Sequence, residues 1–158
     1  MAQNDWQARV DAFWNDFDDS DPERMLSLMR GLVDERDADD PVALAEWGGV
    51  HDALGLEEDA VGPYRSALAA GLEPELEHQV MLQLASTLRN LGEHAEALDL
   101  LERLDAPELG DAPAVFRALT LHSAGRADEA LSVALTALAA HLPRYGRAAA
   151  AYAADLMA

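Results

Sequence analysis

The sequence contains no cysteine, so neither a disulfide framework nor a thiolate metal site is open to it. It also contains no lysine: all 11 basic residues are arginine, set against 30 acidic residues, for a net charge of −19 at pH 7. A chain so poor in positive charge is a poor match for nucleic acid, whose binding rests on counterion release by basic side chains. No apolar run approaches the roughly 18 residues of a membrane span. The start, Met1-Ala2-Gln3-Asn4-Asp5, lacks the basic region followed by an apolar one that marks a secretory leader. The expectation is a cytoplasmic chain with neither nucleic acid nor membrane as partner. Glycine is not gathered into any loop that resembles a nucleotide cradle.

What is present favours helix. Half of the 158 residues are hydrophobic, enough for a continuous core, and the heavy alanine content prefers helix to strand. The charge is uneven. Residues 1–40 carry 12 acids against 4 arginines, and residues 41–106 carry 13 against 3. Residues 107–158 carry only 5 against 4. That last third, close to neutral, is the better place for docking or self-association.

Apolar spacing predicts a first helix over residues 5–17, with Trp6, Val10, Phe13, Trp14 and Phe17 in one stripe. Asp21-Pro22 starts a second helix, with Asp as N-cap and Pro at the first helical position, and Asp40-Pro41 repeats the signal for a third. Three later stretches follow one template: Leu54-Gly55 then Ala60, Leu91-Gly92 then Ala97, and Ala124-Gly125 then Ala130. The glycines at 55, 92 and 125 lie 37 and 33 residues apart. Such a period belongs to helix–turn–helix units that bury their apolar faces by stacking on one another.

The inward positions follow from the spacing. The first unit places Leu44, Trp47, Gly48 and His51 inward on one helix and Ala60, Tyr64, Ala67 and Leu68 on the next. Pro63 inside that second helix should kink it or cost one hydrogen bond. The second unit places Met81, Leu84, Ala85 and Leu88 inward, then Ala97, Leu98, Leu101 and Leu104. The third places Val115, Ala118, Leu119 and Leu121 inward, then Ala130, Leu131, Ala134 and Leu138. A final helix over residues 144–157 should close the stack. Its alanine-rich face, with Tyr145 and Tyr152, serves either as a cap or as a pairing surface for a second copy.

These units resemble the tetratricopeptide repeat. Trp47, Gly48, Gly55, Ala60, Tyr64 and Ala67 give nearly its whole pattern, while Leu84, Ala85, Gly92 and Ala97 give much of it. The third unit keeps Ala118, Gly125, Ala130 and Ala137, but Arg117 stands where a large apolar residue is usual. The run Leu84-Ala85-Ser86-Thr87-Leu88-Arg89-Asn90-Leu91-Gly92 is similar to a small bacterial group of such proteins with no assigned biochemical activity. The resemblance implies an all-α, right-handed solenoid of about nine helices. It would form a single domain over residues 1–158: a helix pair at 1–40, three repeats at 41–143 and a capping helix at 144–158.

In such proteins the concave groove is lined by outward positions of the first helix of each repeat. The resemblance therefore implies Glu46, Gly49 and Asp52 in the first repeat, then Gln79, Gln83, Ser86, Arg89 and Asn90, then Ala112, Phe116, Leu119, His122 and Ser123. Asp52, Arg89 and His122 fall at one register position. Two readings stay open for them: a surface ion pair, or an arginine that offers a planar donor fork to a partner.

Other constellations fail. Asp16, Asp18 and Ser20 begin like a calcium loop, but Asp21 stands where glycine is needed for the sharp turn. The histidines at 51, 78, 94, 122 and 141 are scattered, and His51 reads as a packed core residue. His122-Ser123 lacks an orienting third group, so nucleophilic catalysis has no basis. The expectation is a non-enzymatic interaction module without cofactor or metal. It would bind an unidentified protein or peptide in a groove at Asp52, Gln79, Gln83, Ser86, Arg89, Asn90, Phe116, Leu119 and His122. The alternative is a homodimer formed through the last helix.

Overall fold

A computed structural model describes residues 2–158, with side chains from residue 5 onward. Among the described residues there are nine α-helices and no strand. They are α1 (Ala2–Asn15), α2 (Pro22–Val33), α3 (Pro41–Ala53), α4 (Glu57–Ala70), α5 (Pro74–Asn90), α6 (His94–Arg103), α7 (Ala112–Ser123), α8 (Ala127–Ala139) and α9 (Gly146–Asp155). A short 3₁₀ turn, Pro107–Leu109, precedes α7. The chain divides into two compact units, Met1–Val80 and Met81–Ala158.

Local chemistry sets the helix ends. Asp21 accepts a hydrogen bond from the Arg24 N–H at 3.2 Å, and Pro22 opens α2. Asp40 accepts from the Val42 and Ala43 N–H groups at 3.0 and 2.9 Å. Arg36 clamps the same carboxylate at 2.6 Å and lies 5.0 Å over the Trp6 ring. Burial alone would raise the Asp40 carboxyl, but the bonds from Ala43, Arg36 and Val42 outweigh it and hold it below its usual range.

The three template glycines close their helices in one way. Gly55, Gly92 and Gly125 adopt φ of 70°, 82° and 78°, a conformation that only glycine enters without a Cβ penalty. In each case the residue after the glycine donates 2.9 Å to a carbonyl five residues back: Leu56 to His51, Glu93 to Leu88, Arg126 to Leu121. The glycine itself donates to Asp52, Arg89 or His122. This is a Schellman cap written three times, and it puts Asp52, Arg89 and His122 at equivalent positions.

In the first unit, Phe13, Met25, Met29 and Val50 form one buried cluster, flanked by Trp14, Phe17 and Trp47. Trp6, Val10 and Ala43 form a second. The apolar stripe of α1 thus packs as its spacing implies, and the Trp6 indole N–H donates to the Leu32 carbonyl at 2.9 Å. His51 is a core histidine, its Nδ1 bonded to the Trp47 carbonyl at 2.7 Å. Pro63 does not break α4, which runs on to Ala70; the ring only removes one N–H from the ladder.

In the second unit Leu84, Ala85, Leu88, Ala97, Leu101 and Leu121 are buried as expected, joined by Leu100. Thr87 and Thr120 are also fully buried, and each hydroxyl donates to the carbonyl four residues back, at 2.9 and 2.7 Å. The third helix pair departs from the spacing. Val115, Leu119, Leu131 and Leu138 are 52%, 42%, 48% and 54% exposed, and Ala134 is exposed with them. Periodicity marks these positions as one apolar face but does not say that anything covers it. The next helix does not: α9 packs on another side of α8, where Ser132 Oγ donates to the Ala153 carbonyl at 2.7 Å.

Candidate functional site

The groove positions of the first unit are largely occupied by the unit itself. Glu46 accepts a 2.6 Å hydrogen bond from the Trp14 indole N–H. The same ring lies over Gly49, where an added methyl would come within 3.3 Å of it. Trp14 of α1 therefore covers the two positions that register alone leaves open to a partner. Asp52 is half-buried and accepts from the Tyr64 hydroxyl at 3.4 Å. Gln79 is exposed on α5.

Burial raises the Glu46 carboxyl above its usual range; the Trp14 bond works against this and the Asp11 charge adds to it. A carboxyl whose folded pKa is raised supports folding below its unfolded pKa, and that support is lost as pH rises through the folded value. Glu46→Gln keeps the acceptor for Trp14 and removes the charge. It is expected to raise the urea midpoint at pH 7, with the gain shrinking as pH falls toward 4. A gain of the same size at both pH values would contradict a buried charge as its origin.

The second unit gathers more of the expected residues. Arg89, in the last turn of α5, donates from Nη2 to the Asn90 side-chain oxygen at 2.8 Å. Its Nη1 reaches Ser123 of α7 at 3.4 Å, at the outer limit of a hydrogen bond. The guanidinium thus links the ends of two successive first helices. Its Nε is buried with no hydrogen-bond partner, and both side-chain contacts are made by the outer nitrogens at the exposed end of the group. Gln83 is exposed on the same helix, Ser86 is half-buried, and Phe116 is half-buried on α7.

Leu119 and His122 belong to a different feature. With Val115 and Ala118 they form one wall of an open trough between α7 and α8, about 530 Å³ in volume. Leu131, Ala134 and Leu138 form the other wall. Asp111 and His141 pair at one end of it. Leu131 and Leu138 of the trough and the Arg89–Ser123 link are the features that sequence reasoning missed. For the first, the near balance of charge over residues 107–158, 5 acids against 4 arginines, was the available signal.

Elsewhere, Asp18 is engaged by Ser20, which donates to it from its N–H at 3.0 Å and its hydroxyl at 2.6 Å. No group of three or more metal-ligating side chains occurs among the described residues. No helix among them is long and apolar enough to cross a membrane.

No curated protein and no solved structure matches the chain. A family model described as tetratrico peptide repeat matches residues 41–156, which takes in α3 to α9 and all three glycine caps. Repeats of this kind generally mediate protein–protein interaction. On the period, the caps and the extent of that match, the chain belongs to the tetratricopeptide repeat family.

Proposed function

We propose that this chain is a non-enzymatic adaptor or scaffold, working as one domain that holds a peptide or helix of a partner protein. Arg89 is the anchor, with Asn90, Gln83 and Ser86 as further polar contacts and Phe116 and Leu119 as apolar ones. His122 joins them from α7, and Asp52 and Gln79, which belong to the first unit, are proposed as contacts by repeat register alone. The observation that supports this best is the Arg89 guanidinium, held by Asn90 and Ser123 with its fork near solvent. Arginine suits the task because its planar fork gives two parallel bonds to a carboxylate, and arginine is enriched among the few side chains that dominate interfaces.

The test is capture from native lysate with tagged wild-type protein and an Arg89→Glu variant, read by mass spectrometry. Loss of a central arginine contact costs about 2 kcal/mol or more, roughly a thirtyfold fall in affinity. The expected result is a protein retained by the wild type and lost from the variant, with unchanged helicity by circular dichroism. Equal capture by both would remove Arg89 from the role.

A further inference from the structure

The α7–α8 trough shares Leu119 and His122 with the proposed groove, but none of Gln83, Ser86, Arg89 and Asn90 lines it, and its chemistry specifies an occupant. Its floor is alanine and its ridges are Val115, Leu119, Leu131 and Leu138. On α8 the lining recurs at 127, 130/131, 134, 137/138 and 141, the three-and-four spacing of a helix seam that expects a facing helix. Among the described residues, eight of the nine exposed large hydrophobic side chains lie between 115 and 157. The same stretch is the only third of the chain near charge balance, with 5 acids against 4 arginines in residues 107–158.

We infer that a second copy of this chain packs its own α7–α8 face into the trough, making a four-helix bundle about a two-fold axis. Charge argues for a copy over a foreign helix. Two molecules of −19 repel over most of their surface, and contact is cheapest where that charge is missing. The ends of the trough are also complementary to each other. Asp111, with His141, stands at one end and His122 at the other. A two-fold axis across the helices brings the Asp111 end of one copy over the His122 end of its partner. There the carboxylate, which can accept several hydrogen bonds, receives the imidazole N–H.

The face is two helices wide and about 18–20 Å long at 1.5 Å per residue. That flat footprint of roughly 400 Å² is about half the area per partner of a standard stable interface. An interface of that size sits at the weak end, so the dimer is concentration-dependent, and because area does not set affinity the range to cover is roughly 10 to 500 μM.

Sedimentation equilibrium across that range tests the inference. Wild type should pass from the 17.0 kDa monomer to twice that mass. Leu131→Glu should stay monomeric with unchanged helicity. Two controls should still dimerise: Leu28→Glu in α2, and Ala150→Glu on the exposed side of α9. Because the chain has no cysteine, single cysteines report the geometry even if Leu131→Glu folds poorly. Differently tagged His122→Cys and Asp111→Cys proteins, mixed and oxidised, should form the mixed disulfide in excess over both homodimers. A wild type monomeric throughout, a dimer untouched by Leu131→Glu, a dimer lost on Ala150→Glu, or no excess of the mixed disulfide would each overturn it.

Discussion

Replacing Tyr64 with alanine is expected to remove about 3–5 kcal/mol of stability, the range for deleting a large buried aromatic side chain. Tyr64 has no exposed surface. Its ring fits against Gly48, where an added Cβ would come within 2.6, 2.8 and 3.0 Å of three ring carbons. Those distances are well inside van der Waals contact, and a fully buried ring has little room to yield. Gly48→Ala alone should therefore lower stability by about 1–3 kcal/mol through overpacking, against a helix-propensity gain of up to about 1 kcal/mol. In the Tyr64→Ala background the ring is gone and the methyl has space. There the same Gly48→Ala change should raise stability by up to about 1 kcal/mol. Urea denaturation of the four proteins gives the cycle. A reversal of sign is the expected result, and the same sign in both backgrounds would contradict the contact. The pair also explains why the first repeat holds a glycine opposite a tyrosine: the small residue is the seat of the large one.

Leu88 and Leu131 look alike in the sequence, each on the apolar stripe of a repeat helix. Their truncations are expected to differ by several kcal/mol. Leu88 is 1% exposed, so Leu88→Ala should cost about 2–5 kcal/mol in lost burial and a residual cavity. Leu131 stands on the open wall of the trough, and Leu131→Ala should cost under about 1 kcal/mol at protein concentrations where the chain is monomeric. Chemical denaturation at low micromolar concentration checks both. Equal losses would mean that Leu131 is covered, and would remove the trough altogether.

That contrast marks where sequence reasoning reaches its limit. Helix starts were legible because Asp21-Pro22 and Asp40-Pro41 carry their own capping chemistry. The helix ends at Gly55, Gly92 and Gly125 were legible because a left-handed residue is a local requirement. The inward faces of α1 to α5 followed from spacing, since each has a neighbour to receive it. The third pair followed only in part: Leu121 and Ala130 are buried, but Val115, Leu119, Leu131 and Leu138 are not, because an apolar stripe is the same in sequence whether covered or bare. Glu46 and Gly49 were misjudged for a related reason: only the packing of α1 brings the Trp14 indole over them. The entry to α9 was also illegible. Tyr145 takes a left-handed φ of 69°, and a Cβ at Gly146 would meet the Ala139 carbonyl oxygen at 2.6 Å. Local patterning gives no sign of so close a backbone approach.

The equivalence of Asp52, Arg89 and His122 was legible from register and is expressed in the shared caps. The Arg89 contacts were not, since a link from α5 to Ser123 depends on how two distant helix ends meet. A binding face centred on that link is the main functional proposal. Its most direct test is hydrogen–deuterium exchange of the protein alone and saturated with the partner that wild type captures. The expected result is slowed exchange concentrated at the end of α5 and along α7, over residues 83–90 and 116–123. Slowing confined to α1 and α2, or to α9, with those two segments unchanged, would contradict it.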